Sequence, residues 1–339
     1  MKNEIQITNC TFAKSILMIL IVCYHSCALW TNNWGELPHI QAPGIGIFAE
    51  WLNTFHIYCF TLISGYIFYY KKFEKKEYTL FTAFVYKKMK RLLVPFLVVG
   101  IMWIIPFEMY FSNKEWNFIF KYLLGISTSQ LWFLLMLFNV FIIAFILNPL
   151  ICKSNLLSVI ISTLTWFIGK IWAKHFINIF QIFTSFQFLL YFILGMKLRQ
   201  YKNILQHLLK ANVIIFLCMG DFILFLITRF KLFDFAKLNN MNTIVLHVLG
   251  AVTAFTCFQM LANVLRNGKR CYFFETLMTY SFPIFLFHQQ IIYITNSFFD
   301  GVFNPYLNAV LNIGISLFGS LLITKFLYKY RVCRTLLGG

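Results

Sequence analysis

Ten stretches of this chain stay apolar for about 18 or more residues, the length a helix needs to cross a bilayer. They fall at roughly 12–30, 46–69, 92–111, 130–149, 156–172, 178–197, 211–228, 243–265, 276–297 and 305–327. Backbone surrounded by hydrocarbon must satisfy its own N–H and C=O groups, which confines such a chain to membrane helices. Composition agrees: 60% of the 339 residues are hydrophobic, 12% are charged and the mean hydropathy is +0.73, far from the usual range of soluble domains. The reading predicts an all-α polytopic membrane helix bundle of about ten transmembrane helices. No Pro/Ser-rich linker, low-complexity tract or internal repeat divides it, so we read residues 1–339 as a single integral-membrane domain. Phe12 to Trp30 is long, contains Lys14 and precedes no small-residue cleavage site, so it reads as a retained span rather than a signal peptide.

The basic residues orient the bundle. With the N-terminus inside, the inner segments hold 21 Lys and Arg, eight of them between Lys71 and Arg91, and the outer segments hold seven. That bias places both termini in the cytoplasm. The net charge of +18 is what basic loops against anionic lipid headgroups produce, and the cluster from Lys71 to Arg91 can also attract a phosphorylated cytoplasmic ligand. No nucleic-acid-binding module accompanies the charge, so nucleic acid is not expected as a partner. The nine cysteines lack CxxC or Cys/His ligand spacing and read as small apolar packing residues. His25, His56, His247 and His288 fall in different predicted helices, and no metal site is expected.

Ionisable residues inside spans are expensive and mark functional sites. Lys14 and His25 both lie in the first span. Eleven residues at 100° each return to within roughly 20° of the same face, about 16 Å further along the helix. Two readings stand for Lys14: it snorkels to the cytoplasmic surface, or it faces the bundle and holds a phosphate or a developing oxyanion. His25 is either a base or nucleophile, or a histidine hydrogen-bonded across helices to hold packing.

Local motifs narrow the choice. The first span runs from Thr11-Phe12-Ala13-Lys14 to Tyr24-His25-Ser26. The second carries Phe55-His56-Ile57-Tyr58 and Ser64-Gly65-Tyr66, and Lys87-Lys88-Met89-Lys90-Arg91 runs into Leu92-Leu93-Val94-Pro95. Later come Gln130-Leu131-Trp132-Phe133-Leu134, Leu194-Gly195 and Phe285-Leu286-Phe287-His288. In this order, over about residues 7–328, the series resembles the acyltransferase-3 family of integral-membrane O-acyltransferases. Lys14 stands where the family often has Arg, Thr11 where an acidic residue is common, and Tyr58 where its FHxPxFF pattern often has Pro.

The resemblance implies a multi-pass protein of the bacterial cytoplasmic membrane. It would move an acyl group, most often acetyl from acetyl-CoA, to a hydroxyl of a cell-surface polysaccharide or lipid-linked sugar. Acyl-CoA is then a donor substrate, with no permanently bound cofactor. His25 and Lys14 become the catalytic candidates, with His25 serving as general base on the acceptor or as an acyl-imidazole relay. Lys87, Lys90 and Arg91 would face the donor's phosphates. His56, Ser64, Trp132 and His288 are the substrate-binding candidates; Ser64-Gly65 also reads as a close-packing pair, and Trp132 as an interface anchor. The alternative from another class is a transporter or flippase for a glycan or its lipid-linked precursor, and a structural or regulatory membrane protein is a third reading.

Overall fold

A computed structural model describes residues 2–32, 37–231, 236–266 and 272–339, and the side chains of 2–4, 236–241, 266 and 272–274 also lie outside the described set. Of the basic residues counted for orientation, the side chains of Lys2, Lys237 and Arg266, and the whole of Lys269 and Arg270, therefore fall outside it. The described residues are helical or loop, with no strand among them. The helices are α1 (Lys2–Cys27), α2 (Pro43–Asn53), α3 (His56–Tyr69), α4 (Phe81–Phe111) and α5 (Asn117–Leu123). Next come α6 (Trp132–Lys153), α7 (Asn155–His175), α8 (Ile182–Gln200), α9 (Lys202–Leu208) and α10 (Ala211–Arg229). The last four are α11 (Ala236–Arg266), α12 (Tyr272–Phe299), α13 (Pro305–Leu327) and α14 (Arg331–Leu336).

Among the described residues, eight segments are long and apolar enough to cross a membrane, and the protein is a multi-pass membrane protein. The two expected spans missing from that set are informative. The stretch 46–69 is not one helix: it breaks after Asn53 and restarts at His56. The Thr54 hydroxyl donates to the Trp51 carbonyl at 2.7 Å, and the His56 ring donates through Nδ1 to the Leu52 carbonyl at 2.6 Å. These side chains satisfy carbonyls that a helix end leaves open. The stretch 276–297 is one continuous helix within α12. His288, Gln289, Gln290, Thr295 and Asn296 lower its hydropathy.

Helix α1 occupies the middle of the bundle, packed by α2, α3, α11, α12 and α13. Helices α7 and α10 are the least buried of the apolar segments and form its periphery. Ile7 near the start of α1 shares a cavity with Arg91, and Gly338 packs against the Arg91 carbonyl, so both ends of the described chain lie at one end of the bundle. On α13, Asn308, Asn312, Ser316, Ser320 and Thr324 are buried at four-residue intervals. Asn312 donates across to Asn296 of α12 and along the helix to Asn308, the small and polar contact that joins helices where lipid gives no hydrophobic drive.

Helix α4 is not regular. Met89–Leu93 and Gly100–Ile104 are π turns, and each ends just before an X-Pro pair, Val94-Pro95 and Ile105-Pro106. Proline has no N–H to give the carbonyl four residues back and its ring crowds that carbonyl; opening the preceding turn from i→i+4 to i→i+5 relieves the conflict. A third π turn, Tyr70–Glu74, continues α3 at its far end.

Candidate active site

A cavity of about 310 Å³ opens where α1, α3, α4, α6 and α12 meet. Four cationic side chains line it: Lys14, Lys71, Lys88 and Arg91. The π turns supply two of them, Lys71 from Tyr70–Glu74 and Arg91 from Met89–Leu93. Lys71 is paired with Glu77 at 2.9 Å. Among the described residues no carboxylate pairs with Lys14, Lys88 or Arg91, and the cavity lining contains no acidic residue.

Lys14 faces the bundle. Its ammonium donates to the Ser64 hydroxyl at 3.3 Å and lies 5.1 Å from the centre of the Phe60 ring; Ser64 in turn donates to the Phe60 carbonyl at 2.9 Å. On its other side, the helix that carries Ser64 approaches α8 at backbone distance. A β-carbon on Gly65 would strike the Phe192 carbonyl, and one on Gly195 the Leu62 carbonyl. Lys88 is held by aromatic faces, its ammonium 3.6 Å from the Phe141 ring centre and 5.2 Å from that of Tyr78, a desolvated cation–π arrangement. Lys87 and Lys90 are exposed and do not line the cavity.

At the inner end the lining includes Ile21 and Phe285. Ile21 is one turn before His25, and the Phe285 ring lies 5.9 Å from that of His288. Three of the four scattered histidines meet here. His25 and His288 have ring centres 5.2 Å apart, and Tyr24 packs at 4.9 Å from both His25 and His56. His56 and His288 are almost wholly buried, at 2% and 0% exposure, while His25 keeps some accessible surface. The fourth, His247, is apart from them, stacked on Tyr58 at 4.1 Å beside a smaller cavity with Trp166 and Lys170. Among the described residues no group of histidine, cysteine or carboxylate side chains could hold a metal ion. Trp132 does not line the main cavity; its ring meets Phe133 and Phe188 edge-on at 6.1 and 5.8 Å.

Two supporting networks were not anticipated from sequence. Gln130, at the entrance to α6, donates to the Leu286 carbonyl and to Gln290, both at 2.9 Å. It thereby fixes α12 on either side of His288. Arg199, counted above with the cytoplasmic loops, has no exposed surface. Its guanidinium donates to both oxygens of Glu74 at 2.7 Å, to Gln6 at 2.7 Å and to the Tyr66 hydroxyl at 2.9 Å, and Lys202 also reaches Glu74. Burial works to raise the Glu74 carboxyl, but the Arg199 hydrogen bonds and charge outweigh it and hold the group below its ordinary value. This network secures the π turn that carries Lys71.

The bundle thus sets a cavity lined by Lys14, Lys71, Lys88 and Arg91 beside a cluster of three histidines that do not themselves line it. Residues 9–328 match the acyltransferase domain family model, and the chain belongs to the acyltransferase-3 family. No curated protein and no solved structure matches it.

Proposed function

We propose that this protein is an O-acyltransferase that moves acetyl from acetyl-CoA to a hydroxyl of a cell-surface polysaccharide or related glycan. It would act within the bacterial cytoplasmic membrane as a single domain of about ten spans with both termini cytoplasmic. The observation that carries the reading is the cavity itself: three cations without carboxylate partners at its basic end, and the histidine cluster beyond Ile21 and Phe285 at the other. Unpaired cations in a low-dielectric cavity favour a multiply charged anion. CoA offers phosphates at one end and a thioester at the other.

Arg91 and Lys88 would hold the phosphates, with exposed Lys87 and Lys90 steering the donor to the mouth. Lys14 is about 16 Å along the helix axis from His25, a separation that favours a role on the donor's charged portion over one on an oxyanion at His25. His25, the accessible member of the histidine cluster, takes the proton of the acceptor hydroxyl as its oxygen bonds to the acyl carbon. The C–S bond then breaks, and the sulfur of CoA takes that proton from His25. Ser64 positions Lys14, while His56 and Trp132 shape the walls behind the acceptor.

The test is purified protein in lipid nanodiscs with radiolabelled acetyl-CoA and surface polysaccharide from the host. Wild type should label the glycan and release CoA, and His25→Ala should lower the rate by at least about a hundredfold while remaining folded. Movement of unmodified glycan without CoA release would sink the reading in favour of transport.

A further inference from the structure

We infer that His288 is a positioning residue that accepts a hydrogen bond from His25 and fixes which nitrogen of His25 acts as the base. The inference rests on the acyl-transfer reading above.

The Nδ1 atom of His288 lies 2.9 Å from the Phe285 carbonyl of its own helix. A carbonyl can only accept, so Nδ1 carries the hydrogen and Nε2 is left with a lone pair. That Nε2 is fully buried and has no hydrogen-bond partner among the described residues. A buried acceptor without a donor is costly, and such groups in a folded protein call for an explanation. The ring of His25 is the neighbouring imidazole, 5.2 Å away between centres and inclined at 47°. In the proposed bond His25 turns an N–H toward that lone pair, and catalytic hydrogen bonds are often loose until substrate arrives. His288 has no exposed surface, so it reaches the chemistry through His25.

The arrangement does the work of a triad carboxylate with a neutral group. A third residue that accepts from one ring nitrogen holds the other as the base and stabilises the imidazolium that forms. A carboxylate in this membrane-embedded position would bring a buried negative charge; an imidazole lone pair does not. During transfer the acceptor hydroxyl gives its proton to one nitrogen of His25, and the other keeps its hydrogen directed at His288 Nε2. The proton gained by His25 then passes to the CoA sulfur, and His288 exchanges none.

Two variants separate positioning from packing. In His288→Gln an amide oxygen can accept near the former Nε2 position, whereas His288→Leu cannot accept at all. With purified proteins of matched thermal stability, His288→Leu should lower kcat about a hundredfold with the KM for acetyl-CoA unchanged, and His288→Gln should recover about a tenth of wild-type kcat or more. Full activity in His288→Leu, or equal loss in both folded variants, would overturn the inference. NMR of protein carrying ¹⁵N-histidine, with CoA and acceptor glycan bound, gives a readout independent of turnover: a nitrogen–nitrogen coupling between His25 and His288, absent from His288→Gln. Its absence from wild type overturns the positioning role whatever the activity; its presence in a wild type that transfers no acyl group would instead overturn the acyl-transfer reading.

Discussion

Gly65 of α3 and Gly195 of α8 let their two helices meet at the backbone: a β-carbon on either would strike a carbonyl of the other helix, Phe192 or Leu62. Because those obstacles are backbone atoms, neither can swing aside. Gly195→Val should therefore lower stability by about 1–3 kcal/mol, the usual cost of overpacking. Thermal unfolding of the detergent-solubilised protein measures the effect. An unchanged midpoint would contradict it.

The Arg199–Glu74 network predicts a sensitivity to acid. The Glu74 carboxyl is held below its ordinary value, so its contribution to stability is complete above the unfolded value of about 4.3 and is lost as pH falls through the lowered folded value. Wild type should lose thermal stability across that acidic window, and Glu74→Gln should be less stable at neutral pH and flatter below it. Parallel curves for the two proteins would show that another group sets the acid limb.

Lys88 and Lys87 are neighbours in sequence with different positions, one lining the cavity and the other exposed. We expect Lys88→Gln to raise the KM for acetyl-CoA about tenfold, or about 1.4 kcal/mol, and Lys87→Gln to leave it nearly unchanged at physiological salt. Initial rates against acetyl-CoA concentration decide between this and a diffuse surface attraction, which would weaken both variants alike.

Gln130 donates to Leu286 and Gln290 on either side of His288. Gln130→Leu removes both bonds and leaves buried acceptors unpaired, at a cost of about 1–3 kcal/mol. The expected result is a lower thermal midpoint together with a fall in kcat. A loss of stability with full turnover would mean that α12 keeps its place near His25 without Gln130.

Much of the bundle was legible because lipid imposes a simple rule on length and hydropathy. The rule failed where function loaded a helix with polar groups. Residues 46–69 read as one apolar run, yet Thr54 and His56 hold a break in it. The stretch 276–297 also read as an apolar span and is one continuous helix within α12, although His288, Gln289 and Gln290 dilute its hydropathy below that of the eight apolar segments. At the site, helical spacing put Lys14 and His25 on one face, but their partners come from remote parts of the chain: Ser64 from α3 and His288 from α12. The choice of Lys87 and Lys90 over Lys88 had a readable clue. Lys88 follows the buried Phe84 by four residues and precedes Arg91 by three, which puts it on the inward face of the helix.

A π turn is an α-helix holding one residue more than its hydrogen bonds require, and the turn at Met89–Leu93 brings Arg91 to the cavity. The position of this cation therefore depends on residue number as well as residue type. Removing a single amino acid from that turn could restore regular helix with little harm to the span, yet would rotate the preceding residues by about 100° relative to Pro95 and beyond. For this membrane helix a one-codon deletion can be gentler on folding than on binding, and the length of the segment from Phe84 to Pro95 is itself a determinant of what the cavity accepts.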